Sequence, residues 1–294
     1  MPQSAQPNTQ QAALWNDASG KAWVDMQPIL DGMLAPFASL VVDAGYPGKG
    51  GNVLDIGCGA GATTLAMARR VGNGGRCVGL DISRPLVALA RERARVEEVA
   101  NASFEVGDAQ AYAFATGRFD AAVSRFGVMF FDDPVAAFTN IRQAARRGGK
   151  LAFVAWRGPR ENDFMTTAAR AAAPFLPQAP APDPDAPGQF AFADGARVRR
   201  ILEASGWSSV KVEQADVPCQ IAESHLMTYA TRLGPIGAAL READQATAEK
   251  ITAALPAAFK PFVADGRLIS LPRAGWSRRW PEGILISEKP ISAF

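Results

Sequence analysis

Val53-Leu54-Asp55-Ile56-Gly57-Cys58-Gly59-Ala60-Gly61 is the stretch that decides the fold. A short apolar run, Asn52–Ile56, reads as a buried strand that delivers an acid into a turn of three alternating glycines. Glycines let the backbone turn tightly and approach a ligand with no Cβ in the way. The Ala- and Leu-rich run Thr63–Val71 then reads as a helix, so its free N–H groups face the same point as the turn. In open α/β sheets, ligands bind beyond the carboxyl ends of the strands.

The same alternation continues outward. Arg76–Leu80, Ala102–Val106, Phe119–Ser124 and Leu151–Trp156 read as strands two to five. Between them, Pro85–Val99 is predicted helical, with Ser83 as candidate N-cap and Pro85 in the first turn. Pro134–Arg147 is predicted helical behind an Asp133 N-cap, with Gly148-Gly149 as its stop. Strands separated by helices imply parallel pairing with right-handed crossovers, hence a doubly wound sheet. Upstream, residues 1–11 read as disordered. Residues 12–44 read as two helices, carrying the roughly helical apolar stripe Trp15, Trp23, Ile29, Leu30, Met33, Leu34, Phe37 and Leu40, with Pro28 at a helix start. Downstream of Trp156 the pattern changes. Residues 160–176 read as helix and Pro174 to Pro187 as a linker or loop. Asp194–Ser205 reads as helix and Val210–Val217 as strand. Residues 222–260 are Ala-rich helix broken near Gly234-Pro235, and Leu268–Leu271 and Ile284–Ile286 are short strands.

Composition sets outer limits. The chain has 294 residues, 48% apolar and 20% charged, as expected of a globular protein. Basic residues exceed acidic ones by only two, 31 against 29, which gives no reason to expect nucleic acid or an anionic membrane as partner. Cys58, Cys77 and Cys219 form no CxxC pair, which points to a reduced, cytoplasmic setting. No signal-peptide pattern opens the chain, and no apolar run approaches the roughly 20 residues that span a bilayer.

Two carboxylates follow the glycine turn at the same sheet edge. Asp81 ends the second strand, at the spacing from the glycines where an acid accepts ribose hydroxyl protons. Asp108, in Gly107-Asp108-Ala109, follows the third strand, within reach of an adenine amino group. After the fourth strand comes Ser124-Arg125-Phe126-Gly127-Val128-Met129-Phe130-Phe131, whose Arg125 can form a charge-assisted bond to a carboxylate. With Leu54–Gly61, Gly79-Leu80-Asp81-Ile82, Phe119-Asp120 and Gly148-Gly149-Lys150-Leu151, these positions resemble the class I S-adenosylmethionine-dependent methyltransferases, especially the small-molecule branch that includes ubiquinone/menaquinone-biosynthesis-like enzymes. The resemblance covers residues 50–156 well and the flanks loosely.

The resemblance implies an α/β fold: a doubly wound, mostly parallel seven-stranded sheet of Rossmann-like methyltransferase type, with a helical cap insertion. It implies one domain over 1–294, its core at about 45–158 plus the last strands and its cap at about 160–265. S-adenosylmethionine would be the cofactor and S-adenosylhomocysteine the product. Asp55, Gly57, Gly59 and Gly61 would line the methionine end, and Asp81, beside Ile82, would hold the ribose. Asp108 and Ala109 would hold the adenine, while Arg125 and Phe126 sit near the sulfonium. Trp23 and Gln27 are further candidates, because in related enzymes an N-terminal helix closes over the cofactor.

Cys58 reads as a small turn residue rather than a nucleophile, and His225, the only histidine, as a surface or packing residue. With no Cys/His cluster, no metal site is expected. Asp133 is explained by capping and Asp132 by solvent. The run Arg273, Trp276, Arg278, Arg279, Trp280 is too short to read as a nucleic-acid surface. Ser124-Arg125-Phe126-Gly127 stands where amide- and adenine-directed enzymes carry Asn-Pro-Pro-Tyr/Phe, so a different small-molecule acceptor is expected, one that needs no catalytic base. Two alternatives share the fold: a non-catalytic S-adenosylmethionine-binding module, and an NAD(P)-dependent oxidoreductase. The oxidoreductase would leave Asp55 and Asp108 unexplained.

Overall fold

The computed structural model describes residues 8–178, 183, 185–264, 267–269 and 283–288, the last two stretches as backbone. Three helices open it: α1 (Thr9–Asn16), α2 (Ala18–Asp25) and α3 (Gln27–Gly45). The alternating core follows, with β1 (Asn52–Ile56), α4 (Ala62–Val71), β2 (Arg76–Asp81), α5 (Arg84–Val96), β3 (Ala102–Val106), β4 (Phe119–Arg125), α6 (Pro134–Ala144) and β5 (Ala145–Ala155). Beyond it lie α7 (Asp163–Ala172), α8 (Gly195–Ala204), β6 (Val210–Ala215), β7 (Gln220–Ala222), α9 (Glu223–Arg232), α10 (Gly234–Glu242) and α11 (Gln245–Phe259). The last described elements are β8 (Val263–Ala264), β9 (Arg267–Ile269) and β10 (Gly283–Glu288).

Seven strands form one sheet in the order β3-β2-β1-β4-β5-β10-β6. The pairs from β3 to β5 are parallel, while β10 runs antiparallel to both β5 and β6. The expected mostly parallel, doubly wound sheet is therefore present. Strand order reverses between β1 and β4, the position where open α/β sheets leave a ligand crevice. β4 is buried along almost its whole length, as a central strand covered on both faces must be. A smaller antiparallel sheet, β7-β9-β8, places the strand expected at Leu268–Leu271, described here at Arg267–Ile269, between β7 and β8, which were not anticipated because strands of two or three residues carry no readable periodicity.

Five expectations need correction. Thr9 to Gln11 belong to α1 rather than to a disordered tail, and the residues up to 45 form three helices rather than two, broken at Asp17 and Met26. Ser83 does occupy the N-cap position of α5, but its hydroxyl does not cap; it donates to the Trp15 carbonyl at 2.7 Å. The fifth strand starts at Ala145, not Leu151, because α6 ends early and the ladder to β4 jumps from Phe119–Ala145 to Ala121–Lys150. Finally, the 19-residue α3 is long and apolar enough to cross a membrane by length and composition. In this fold its Leu30, Met33, Leu34, Phe37, Val41 and Val42 are buried in the core shared with β4 and β5, at the i, i+3, i+4, i+7 spacing of one helix face. The expected tail before residue 8 and the Arg273–Trp280 run lie outside the described residues.

Caps explain where other helices begin. Asp133, Asp194 and Asp244 accept the backbone N–H of Ala136, Ala196 and Thr247 at 2.8–2.9 Å. The material after β5 divides: α8 and β6 join the main sheet layer, whereas α7, α9, α10 and α11 pack on one another beside the sheet's carboxyl edge.

Candidate functional site

The site begins where β1 and β4 end side by side. Gly57 has φ of 64°, and a Cβ there would lie 2.5 Å from the Gly127 Cα. A Cβ on Gly127 would in turn meet the Gly57 Cα and the Ile56 carbonyl at 2.6 Å. The turns after the two strands therefore touch through bare backbone. Ser124 holds them: its hydroxyl donates to the Ile56 carbonyl at 2.7 Å and accepts the Gly127 N–H at 3.1 Å. Gly61, with φ of 86°, serves packing instead, since a Cβ there would press on Phe104 and Ala90.

A cavity of about 610 Å³ opens at this edge, between the strand ends, the N-terminal helices and the α7/α9/α10 cap. Its wall includes Gly57, Gly59, Asp81, Ile82, Asp108, Ala109, Arg125, Phe126 and Trp23. Asp55, Gly61 and Gln27 do not reach it. Asp55 lies buried beneath the glycine turn, with Oδ2 accepting the Thr64 hydroxyl at 2.6 Å and Oδ1 unpartnered. Burial raises its pKa to about 7, against the opposing pull of the Thr64 bond and of Arg125. Gln27 donates to Asp31 Oδ2 at 2.6 Å.

Asp81 organises the turn from the neighbouring strand. Its Oδ2 accepts the Gly59 N–H at 2.7 Å and its Oδ1 the Ser83 N–H at 2.8 Å. Burial raises its pKa while these backbone donors oppose the shift. Each oxygen keeps a lone pair for a further donor. Asp108 Oδ1 accepts from Asn8 Nδ2 at 2.9 Å and from the Gln110 N–H at 3.0 Å, while its buried Oδ2 has no partner. Arg125 is likewise buried with Nη1 unpartnered, and burial lowers its pKa against the stabilising charges of Asp31 and Asp55.

The N-terminal segment covers the cavity by polar contacts that nothing in its composition announces. Asn8, buried, donates its N–H to Asp132 Oδ2 at 2.6 Å and accepts the Asp132 N–H at 2.7 Å. Asn16 donates to the Ile82 carbonyl and accepts the Arg84 N–H. Trp15 meets Trp23 and Phe130 edge to face, at 5.6 and 5.4 Å between ring centroids. Gln11 also lines the wall, with its buried Oε1 unpartnered. Beyond Arg125 the wall turns apolar. Phe126 stacks on Trp156 at 3.8 Å, and Phe164 on Tyr229 at 5.2 Å, with Met33, Met129, Met165 and Ile236 alongside.

Two tempting residues stand elsewhere. His225 is exposed on α9 and does not line the cavity. Cys58 is buried in the turn, and burial with Asp81 and Asp55 nearby holds its thiol well above its ordinary pKa, so it carries no nucleophilic thiolate. Among the described residues no three His, Cys, Asp or Glu side chains converge as a metal cluster.

Residues 53–149 match the family described as a methyltransferase domain. The aklanonic acid methyltransferase DauC of Streptomyces sp. (strain C5) is 35% identical over 118 residues, which is 40% of this chain and 54% of that protein. Nocamycin O-methyltransferase of Saccharothrix syringae is 33% identical over 116 residues, 40% of this chain and 41% of that one. The matched stretch thus spans about half the length of these relatives, and they do not single out the ubiquinone/menaquinone branch. The YcgJ protein from Bacillus subtilis shares the fold at a TM-score of 0.55 and 18% identity, covering 87% of this chain and 98% of its own. Neither the oxidoreductase nor the non-catalytic module is favoured by these likenesses. Residues 53–149 thus carry a methyltransferase domain, and the glycine turn, the acids at the second and third strand ends and the seven-stranded sheet around it resemble the class I S-adenosylmethionine-dependent methyltransferases.

Proposed function

We propose that this protein transfers a methyl group from S-adenosylmethionine to an apolar small molecule held between the sheet edge and the cap. One observation carries the reading: two buried polar atoms without partners, Asp108 Oδ2 and Arg125 Nη1, belong to residues on opposite flanks of the glycine turn that line one cavity. Buried polar groups are ordinarily bonded, so orphans in a cavity call for a ligand that satisfies them. The cofactor has an amino donor at its adenine end and a carboxylate at its methionine end, and it fits both. Asp108 Oδ2 would accept from the adenine amino group, with Ala109 and Ile82 against the ring. The free lone pairs of Asp81 would accept the ribose hydroxyls. Arg125 would pair with the carboxylate, and Asp55, through its unpartnered Oδ1, would supply negative charge beneath the ammonium.

The bound cofactor supplies a methyl group already activated on a sulfonium. The protein's part is then to position the acceptor, to exclude water and to align the attack, with the reacting atoms about 3–3.5 Å apart. The apolar wall around Phe126, Trp156, Phe164 and Tyr229 suits an apolar acceptor. The single histidine lies outside the cavity, so an acceptor ionised by itself at neutral pH, such as a carboxylate, thiolate or enolate, fits best. If His225→Ala abolished turnover while cofactor affinity stayed intact, this base-free account would be wrong. We read the chain as one catalytic unit whose cap, within 160–265, shapes the acceptor side. A cytoplasmic setting suits the buried thiols of Cys58 and Cys77.

Calorimetric titration tests the cofactor. S-adenosylhomocysteine is expected to bind, NAD is not, and Asp81→Asn is expected to weaken binding by roughly 10- to 100-fold, as losing a charged hydrogen-bond partner does. A folded protein that ignores S-adenosylhomocysteine overturns the reading. Methyl transfer to a panel of apolar acids, thiols and enols then separates an enzyme from a binding module.

A further inference from the structure

Arg125 poses a physical problem that its own strand does not solve. It sits at the end of β4, with its side chain only 13% exposed, and the residue after it, Phe126, holds a φ of 63°. A buried guanidinium must be paired, and a long side chain must be fixed if its free N–H groups are to face a ligand rather than wander. The partner comes from α3, outside the 53–149 region that matches the methyltransferase domain. Asp31 Oδ1 lies 3.6 Å from Arg125 Nη2. Asp31 is itself held from two other sides. Its Oδ2 accepts from Gln27 Nε2 at 2.6 Å and pairs with Arg93 Nη1 at 2.9 Å. Arg93 Nη1 also donates to the Ala60 carbonyl at 2.6 Å, which ties the same carboxylate to the glycine turn.

This network has a clear polarity. Arg93 has a second carboxylate in Glu97, 3.4 Å from its Nε, whereas Arg125 has Asp31 as its one ion-pair partner among the described residues and shares it. Of Arg125's two terminal nitrogens, Nη2 faces Asp31, while Nη1 is buried without a partner on a residue of the cavity wall. A guanidinium is a rigid fork, so anchoring one nitrogen fixes where the other points.

We infer that Asp31 is the positioning residue of the site: through Arg125 it aims a guanidinium N–H at the carboxylate of the cofactor's amino-acid end, and Gln27 and Arg93 lock it in that pose. The inference rests on the cofactor reading above. It gives the N-terminal helix α3 a part in selecting the amino-acid moiety, beyond covering the cavity. It also gives Gln27 a role two residues removed from the ligand, through Asp31 and Arg125.

The test compares two ligands that differ only at that end. S-adenosylhomocysteine carries the amino-acid carboxylate; 5′-methylthioadenosine keeps the adenosine and the thioether but lacks it. In titrations of the full chain, Asp31→Asn is expected to weaken S-adenosylhomocysteine on the order of 10-fold while changing 5′-methylthioadenosine less than about 2-fold. In a double-mutant cycle, Arg125→Gln with Asp31→Asn is expected to lose no more than Arg125→Gln alone, because the acid acts through the arginine. Asp31→Glu, which keeps the charge, is expected to restore the preference in part. It also serves as the folded comparison should the amide variant not fold. Equal losses for both ligands, unchanged or tighter S-adenosylhomocysteine binding, or additive losses in the cycle overturn the inference. If the unaltered protein binds neither ligand, the cofactor reading falls as well, and that outcome is distinct from all the others.

Discussion

Asp55 shows how a single buried carboxyl sets a pH-dependent cost. Its carboxyl is buried with one bonded oxygen, and its pKa stands at about 7 instead of 3.8. The native state therefore holds a proton that the unfolded chain releases above pH 4. Stability from this group is fully present below pH 4, falls as pH rises toward 7, and is level above it. Each tenfold in protonation is worth about 1.4 kcal/mol, so the ceiling on the cost at pH 8 is about 4 kcal/mol. Asp55→Asn keeps an acceptor for the Thr64 hydroxyl and cannot ionise. Urea unfolding of the ligand-free protein should show the variant more stable than wild type at pH 8, with the advantage shrinking toward pH 4.5. A constant difference across that range would remove burial of this carboxyl as the cause. The same variant should bind S-adenosylhomocysteine more weakly, since the site loses negative charge beneath the ammonium. Gly127 makes a second residue-scale case. Gly127→Ala forces a Cβ to within 2.6 Å of the Gly57 backbone, where no flexible side chain can yield. A loss of at least about 2 kcal/mol in unfolding free energy is expected, together with weakened cofactor binding.

At the scale of elements, α1 is the part that composition described least well. Its sequence is polar and carries no apolar stripe, and it has no buried residue of its own. It is held by its ends instead. Asn8 bridges the loops after β3 and β4, and Asn16 and the Trp15 carbonyl are fixed to the Ile82–Arg84 turn. Such an element belongs to the low-stability end of the molecule and should open locally before the sheet does. Asn8→Ala removes the bonds to Asp108 and to the Asp132 N–H. Amide exchange in residues 9–16 is expected to quicken by roughly 10-fold or more, with the protection of β1 and β4 unchanged, as loss of one to two kcal/mol of local anchoring implies. Uniformly faster exchange in the sheet as well would mean that α1 is part of the global core. Pro28, the Leu30–Phe37 part of the α3 face and the Asp133 cap were legible because each depends on neighbours within one or two turns. The anchoring of α1 was not, because its partners lie 66 to 124 residues away.

For the whole molecule, the cavity joins three parts that are distant in sequence: the N-terminal helices, the strand ends of the sheet, and the cap. A ligand that binds only when all three are assembled stabilises them together. S-adenosylhomocysteine at about 100 times its Kd is expected to raise unfolding free energy by about 2.7 kcal/mol. It should also slow exchange in α1 and α2 more than in α6 and α8, which lie off the cavity wall. The ion pair between Asp25 and Arg232, 3.4 Å across the rim, links the N-terminal helices to the cap, but both side chains are more than half exposed. It is therefore a contact between the two covers of the cavity rather than a source of stability.

The sequence by itself determined the alternating strands and helices, the glycine turn, the acids at the ends of β2 and β3, and Arg125 at the end of β4. Each of these is written in local order: an apolar run, a turn that only glycine tolerates, a polar residue at a strand end. From those local marks the sheet follows, because parallel strands with crossover helices admit few arrangements. Only the tertiary structure decided that Asp55 and Gly61 stand behind the cavity wall, and that Ser83 gives its hydroxyl to Trp15 instead of its own helix. The tertiary structure likewise set Asp31 against Arg125, and brought Asn8 to Asp108 and Asp132. These are pairings between side chains far apart along the chain. Their energies depend on distance in space and on burial, and neither quantity exists until the chain has folded.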